Sequence, residues 1–347
     1  MANAWKRDKA TRLLSPKLLF LLFSSTLIVF FFFAFLTSRP SNPATTLTAF
    51  NTRLSFNAIS PFDCTASPQA HPVVANTVEG VRYPFLFSLS DFGTLPDKPH
   101  KNIVRMLKGK PFRKPDISVT VQEVLEKART EGKDGFFVDV GANVGMASFA
   151  ASAMRFRVLA FEPVFENLQK ICEGVYFNRV ADLVTVFEAA ASDRVGNITV
   201  HKVRCYRIRK AYLKSQHVCF GWIDLDECHN LLDNSAISAT GAKLAFKSNE
   251  EIAFQVRTVP LDEVIPKSER VLLLKIDVQG WEYHVLKGAS KLLSRKGSQA
   301  PYLIYEEDER LLRASNSSAK EIRDFLRSVG YHDCTQHGTD AHCVKKD

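Results

Sequence analysis

The chain of 347 residues is 46% hydrophobic and 24% charged, enough for one sizeable core and short for three domains. Its net charge of +9 is uneven, with Lys6, Arg7, Lys9, Arg12 and Lys17 set against Asp8 before the first apolar run. No zinc-finger spacing, RNP-like motif or basic heptad accompanies that charge, which argues against a nucleic-acid partner, and none of the seven cysteines forms a CxxC pair, which argues against structural zinc.

Residues 1–17 read as a cytosolic basic tail. Residues 18–37 are uncharged and rich in Phe, long enough to span a bilayer core as one helix. The run is longer than a signal-peptide core and lacks a small-x-small cleavage site, so it reads as an uncleaved signal anchor. The positive flank keeps the N-terminus cytosolic and sends the bulk of the chain into the Golgi or ER lumen, as a single-pass type II membrane protein. Two glycosylation sequons, Asn197-Ile198-Thr199 and Asn316-Ser317-Ser318, suit that compartment. Residues 38–72 are rich in Ser, Thr, Pro and Asn and read as an extended stem. Residues 73–115, broken by prolines, read as an irregular lead-in packed on the main domain, which occupies 116–347.

From residue 116 the pattern becomes regular. Thr120 and Glu123 form a capping box for a helix that Gly132 stops. Strands are expected at 136–140, 157–161 and 183–187, with helices at 147–153 and 166–177 between them. Residues 193–257 read as an insertion with short strands of its own, including 198–201. A strand at 271–276 precedes a helix with Val285, Leu286, Ala289, Leu292 and Leu293 on one face. A strand at 302–305, a helix capped by Ser318 and Glu321, and a hairpin over 331–344 follow. This alternation predicts an α/β fold with a doubly wound, mostly parallel sheet closed by an antiparallel hairpin. Cys334 and Cys343 flank that hairpin and are the preferred disulfide. Cys205, Cys219 and Cys228 could supply another, and the plain alternative is that most of the seven are free, buried thiols.

The chemistry centres on Asp139-Val140-Gly141-Ala142-Asn143-Val144-Gly145, a glycine turn between a strand and a helix. In a doubly wound sheet such a turn lies at the carboxyl end of a strand, where ligands bind. Glu162, about twenty residues on at the end of the next strand, can accept both hydrogen bonds of a ribose diol. A dinucleotide loop would want glycine where Asn143 and Met146 stand, and no Walker Gly-Lys-Ser/Thr is present, so neither NAD nor a nucleoside triphosphate fits well. S-adenosyl-L-methionine carries no phosphate, and its zwitterionic end suits Asp139 and Asn143. No His/Asp/Glu group has convincing metal spacing, and no metal is expected.

Those motifs, with Phe161-Glu162-Pro163, Ala189-Ala190-Ala191-Ser192-Asp193, Leu274-Lys275-Ile276-Asp277-Val278-Gln279-Gly280-Trp281-Glu282 and Val285-Leu286-Lys287-Gly288-Ala289, resemble the FkbM-type methyltransferases over roughly 136 to the C-terminus. The Lys-Ile-Asp-Val-x-Gly-x-Glu block is the family-specific part. The resemblance implies a class I methyltransferase fold, S-adenosyl-L-methionine as cofactor and, usually, transfer to an oxygen. It puts Asp139, Gly141, Asn143 and Gly145 at the methionine moiety, Glu162 at the ribose, and Glu188 and Ala189 near the adenine. Gln279 stands where the family generally has Glu.

Asp277 is expected beside the transferable methyl, as a base or acceptor-orienting group, with a helix cap as the plain alternative. Glu282 reads equally as catalytic or as a first-turn carboxylate favoured by the helix dipole. Lys275, charged within a buried strand, demands a partner or a cleft and stands with Asp277 and Glu282 as a candidate catalytic group. His284 reads as a helix-surface histidine. The insertion interleaves Lys202, Arg204, Arg207, Arg209, Lys210 and Lys214 with Tyr206 and Tyr212: a solvated basic face, or a site for an anionic acceptor. The expectation is O-methylation of a glycan or small molecule. The alternatives are a lipid or protein methyltransferase of the same fold, or a cofactor-binding module without catalysis.

Overall fold

The computed structural model describes residues 58–67, 69, 73–89, 116–203 and 251–345, with short pieces at 93–94, 98–99, 103–104, 108, 212–214, 217–219 and 235–236. The expected tail, span and most of the stem lie outside these residues, as do Cys205, Cys228 and Arg204, Arg207, Arg209 and Lys210 of the insertion. Among the described residues no helix is long and apolar enough to cross a membrane.

The lead-in is not wholly irregular. Strand β1 (Ala75–Val78) pairs antiparallel with β2 (Phe85–Ser88), and β3 (Gly93–Thr94) with β4 (Lys98–Pro99). Helix α1 (Asp116–Thr130) begins before the expected capping box. Thr120 lies inside the helix, and its Oγ1 donates back to the carbonyl of Asp116 at 3.1 Å, the usual fate of an intrahelical threonine. Gly132, at φ +66°, does end the helix, letting the Lys133 N–H close onto the Ala128 carbonyl.

The main domain then alternates β5 (Phe136–Val140), α2 (Met146–Ala153), β6 (Arg157–Phe161), α3 (Phe165–Asn178) and β7 (Val184–Phe187). A second set of strands follows: β8 (Ala190–Ala191), β9 (Gly196–Val203), β10 (Tyr212–Lys214), β11 (His217–Cys219), β12 (Ser235–Ala236) and β13 (Glu251–Val259). The chain returns through α4 (Leu261–Val264), β14 (Val271–Ile276), α5 (Glu282–Gly288), α6 (Ser290–Leu293) and β15 (Tyr302–Glu306). It closes with α7 (Glu309–Ala314), α8 (Ala319–Ser328), β16 (Asp333–His337) and β17 (Asp340–Val344).

Seven strands form the central sheet in the order β16-β17-β15-β14-β5-β6-β7, parallel from β15 to β7 and antiparallel in the terminal hairpin. This is the predicted α/β architecture. Every residue of β5 and of β14 is buried, which is why both read as unbroken apolar runs. Alternation divides β5 between two cores: Phe136, Val138 and Val140 enter one, Phe137 the other. Each such side chain contributes about 1.5–3 kcal/mol of burial. Strand order reverses between β5 and β14, so the crevice at their carboxyl ends is where a ligand site is expected.

Beside this sheet, β9 pairs antiparallel with β13 from Gly196↔Thr258 to Val203↔Glu251, and β8 runs parallel to the end of β13. Cys334 and Cys343 are joined across the terminal hairpin, as expected. A second disulfide, Cys64–Cys172, was not anticipated. It ties residues placed in the stem directly to α3, and Ile59 is buried in the core. The stem reading of 38–72 is therefore corrected at 58–67, which belong to the domain.

Candidate functional site

The glycine turn after β5 is shaped by three left-handed residues, Gly141 (φ 74°), Asn143 (φ 52°) and Gly145 (φ 87°). Asn tolerates this region better than most side chains do. A Cβ on Gly141 would stand 1.9 Å from the Asp277 carbonyl oxygen, so glycine is what lets this turn meet the end of β14. Gly145 serves packing, since a Cβ there would strike the Phe149 ring at 2.5 Å. The Gly141 and Ala142 N–H groups both donate to the Phe161 carbonyl, at 3.0 and 3.1 Å.

Two carboxylates brace this turn from behind and from the side. Asp139 has no exposed surface. One oxygen accepts from Ser148 Oγ at 2.7 Å, and the other lies 3.1 Å from Lys275 Nζ. Asp139 and Lys275 are direct cross-strand partners on the face that otherwise carries Phe137 and Leu273. Lys275 also donates to the Gly141 carbonyl at 2.8 Å and lies 3.9 Å from Asp277. Burial pulls its ammonium pKa down, but Asp139 and then Asp277 outweigh it, and the net shift is upward. Lys275 thus has the partner its burial demands. Both residues hold the loop, where Asp139 was expected at a ligand and Lys275 among the catalytic groups.

Glu162, at the end of β6, accepts from the N–H of Asn143 at 2.8 Å, the N–H of Val164 at 3.0 Å and Asn167 Nδ2 at 3.1 Å. It joins the glycine turn to the start of α3. Burial raises its pKa to about 7 against the pull of those three donors and of Lys275. Glu188 is exposed just past β7 and Ala189 is buried beside it. The Glu162 N–H donates to the Phe187 carbonyl, which sets these two residues at the strand end neighbouring Glu162.

Asp277 follows β14, with its N–H on the Val140 carbonyl and 46% of its side chain exposed. Of the three expected catalytic groups it alone faces solvent to that degree. Gln279, at φ 55°, donates from one amide nitrogen to Asp277 Oδ1 at 2.8 Å and to Glu306 Oε2 at 2.9 Å. Both amide hydrogens are used, and two carboxylates at the ends of adjacent strands are held together by a neutral donor. Burial first, then Asp277, Glu282, Asp340 and Asp308, raise Glu306 to about 8.

Glu282 is buried and turns back on the same segment. Its Oε1 accepts from the Val278 and Gly280 N–H groups at 3.0 and 3.2 Å, and burial raises its pKa to about 7. These bonds make Glu282 a brace for the turn that presents Asp277. Gly280 pins the other side of that turn, where a Cβ would reach the Leu311 carbonyl at 2.4 Å. Trp281 Nε1 donates to Ser192 Oγ at 3.2 Å, and His284 stacks on Trp281 with Nδ1 3.4 Å from Asp193. The Ser192-Asp193 segment is thereby fastened to α5.

Sequence reasoning missed Ser148, Glu306 and the bridging part of Gln279. For Glu306 a signal existed, since a carboxylate at the carboxyl end of a parallel strand beside the switch point faces the crevice. Among the described residues no group of three or more His, Cys, Asp or Glu is arranged to hold a metal ion.

The model of the methyltransferase FkbM domain matches residues 139–332, from the first carboxylate of the glycine turn through the Asp277 block to the last helix. The chain belongs to the FkbM methyltransferase family. Solved structures give weaker likenesses. Monomeric WbdD is 10% identical at TM-score 0.35, covering 74% of this chain and 46% of its own, so this chain spans about half of WbdD. The Pyrococcus horikoshii protein PH0793 is 11% identical at TM-score 0.31, over 79% of this chain and 71% of its own. An O-methyltransferase family 2 protein from Planctomyces limnophilus is 10% identical at TM-score 0.30, over 69% and 64%. No curated protein matches the sequence.

Proposed function

We propose that this FkbM methyltransferase uses S-adenosyl-L-methionine to methylate an oxygen on a glycan or small molecule, with its domain held in the Golgi or ER lumen by the N-terminal span. The observation that carries the cofactor reading is Glu162. It stands at the end of the strand next to the glycine turn, bonded to the backbone of that turn, at the crevice where strand order reverses. The donor set suits a nucleoside with a zwitterionic tail and no phosphate. Lys275, which could have met a phosphate, is spent on Asp139 and Gly141. Glu162 would hold the ribose, the turn from Gly141 to Gly145 with Asn143 the methionine end, and Glu188 and Ala189 the adenine side.

When bound, the cofactor supplies a sulfonium-borne methyl group open to in-line attack. The chain's own part is orientation and proton removal. Asp277 takes the proton of the acceptor hydroxyl, with Gln279 and Lys275 fixing its direction. Two disulfides and the exposure of both sequon asparagines, Asn197 and Asn316, support an oxidising, glycosylating compartment.

Calorimetric titration with S-adenosylhomocysteine and, separately, NAD tests the reading. Binding of the former alone is expected. Binding of NAD, or of neither by folded protein, overturns it.

A further inference from the structure

Residues 58–64 cross the free edge of the central sheet from one core to the other. Ile59 is buried in the core that holds Val138 and Val140, while Phe62 and Cys64 pack against the opposite one with Phe137. Between them, the Phe62 N–H donates to the Val186 carbonyl at 2.7 Å, on the outer edge of β7. Arg257 of β13 donates to the Ala58 carbonyl at 2.5 Å and anchors the near end. An unpaired edge strand is a pairing hazard, and this strap covers it. Two further attachments go to α3. Phe62 meets Phe165 edge-on with ring centroids 6.2 Å apart, and Cys64 is bonded to Cys172.

The first turn of α3 is also where Glu162 is fastened, through the Val164 N–H and Asn167. Glu162 in turn holds the Asn143 N–H of the glycine turn. The far end of α3 is secured independently, by Asn178 on both backbone groups of Leu86. The strap therefore governs the front of the helix more than its back. We propose that residues 58–64 are a positioning element of the cofactor site, latched by the Cys64–Cys172 disulfide and acting through α3 and Glu162 on the glycine turn. Phe62 and Cys64 are positioning residues in this scheme and touch no reacting atom. The inference rests on the cofactor reading given above.

Opening the latch is a two-electron step. A dithiol such as dithiothreitol gives two electrons and two protons, the Cys64–Cys172 bond breaks to two thiols, and the dithiol closes to its cyclic disulfide. If the latched form binds cofactor more tightly, linkage requires bound cofactor to make the latch harder to reduce by the same factor. A disulfide whose reduction leaves both the fold and the cofactor affinity unchanged has no such reciprocal behaviour.

The experiment uses the whole protein and S-adenosylhomocysteine as probe. C64S/C172S is expected to bind it about tenfold more weakly, a typical coupling between two sites. C334S/C343S, which opens the disulfide at the other edge of the sheet, is expected to keep wild-type affinity. In wild-type protein equilibrated in dithiothreitol buffers, saturating probe is expected to lower the Cys64–Cys172 potential by about 30 mV, the equivalent of tenfold for two electrons. This last readout needs no variant to fold. A potential indifferent to the probe overturns the proposal, as does unchanged affinity in folded C64S/C172S. Failure of the wild-type protein to bind the probe overturns the cofactor reading and this inference with it. Binding that ignores the latch overturns this inference alone.

Discussion

Replacing Glu162 with Gln tests the electrostatics of the site without an acceptor in hand. The carboxyl is buried and its pKa sits at about 7 in the folded protein, against an ordinary value of 4.5. The folded state thus holds a proton on Glu162 that the unfolded chain has already released. The stability from this group is fully present below the ordinary value and is lost as pH rises through the folded value. At 1.36 kcal/mol per unit the whole loss is about 3 kcal/mol, of which roughly 2.5 falls between about pH 5 and pH 8.5. The amide in Glu162→Gln does not titrate. It keeps one acceptor oxygen for the donors at Asn143, Val164 and Asn167 and turns an NH2 toward the rest, a cost of about 1–3 kcal/mol that does not depend on pH. Glu282 and Glu306 also have raised pKa values but titrate in both proteins and cancel from the difference. Urea unfolding followed by tryptophan fluorescence at the two pH values should show the variant gaining about 2.5 kcal/mol on the wild type as pH rises. Parallel curves, agreeing within about 0.5 kcal/mol, would mean that Glu162 ionises normally and that its three donors fully offset its burial.

Three further substitutions follow from the same geometry. Gln279→Glu removes the donor shared by Asp277 and Glu306 and should cost about 2 kcal/mol near pH 8. The new carboxyl, set beside two others, takes a folded pKa above its ordinary value, so the deficit should shrink toward pH 5. A deficit that grows on acidification in the same unfolding assay would refute the bridge. Gly141→Ala drives a Cβ into the Asp277 carbonyl at a left-handed φ, and more than about 3 kcal/mol of stability should be lost. A thermal scan with an unchanged midpoint would show that the two loops are not in contact. Lys275→Met leaves Asp139 buried without its cation at a cost of about 3–5 kcal/mol. Adding Asp139→Leu should recover most of it in a double-mutant cycle, whereas additive losses would mean the pair is not coupled.

The strands buried on both faces were the most legible part of the sequence. The bounds of β5, β6 and β14 follow from apolar runs that stop at glycine, glutamate and aspartate. The terminal hairpin and its Cys334–Cys343 bond were readable because both cysteines flank one turn. Cys64 and Cys172 are 108 residues apart, and no local pattern connects them. The Ser, Thr and Pro content around Cys64 argues for a stem, while the burial of Ile59 depends on a sheet edge that composition cannot express. Residue types at the site were legible, but their directions were not. Asp139 and Lys275 look like site residues because charges in a buried strand need a reason, and the reason here is each other. Glu306 was lost by ending its strand at Tyr305.

The block from Lys275 to Glu282 therefore does more building than touching. Lys275 points its charge inward to the glycine turn, Glu282 folds back onto the Val278 and Gly280 N–H groups, and Gln279 spans sideways to Glu306. What these three share is the orientation of Asp277, the one side chain of the four with substantial exposure. Groups fixed in advance in a low-dielectric crevice need no rearrangement when charge develops, and this is where enzymes gain most. The same arrangement limits the acceptor. Asp277 and Glu306 stand together, and Asp340 pairs with Glu306 between β17 and β15, so on the proposed reading an anionic group brought to the acceptor hydroxyl would meet the Asp277 side chain and, above about pH 8, an ionised Glu306 as well. On the proposed reading an acidic glycan is methylated only if its charge lies away from the hydroxyl set at Asp277. The acceptor that best fits this wall presents a neutral hydroxyl, and a series of sugars differing only in the distance between carboxylate and hydroxyl should be methylated faster as that distance grows.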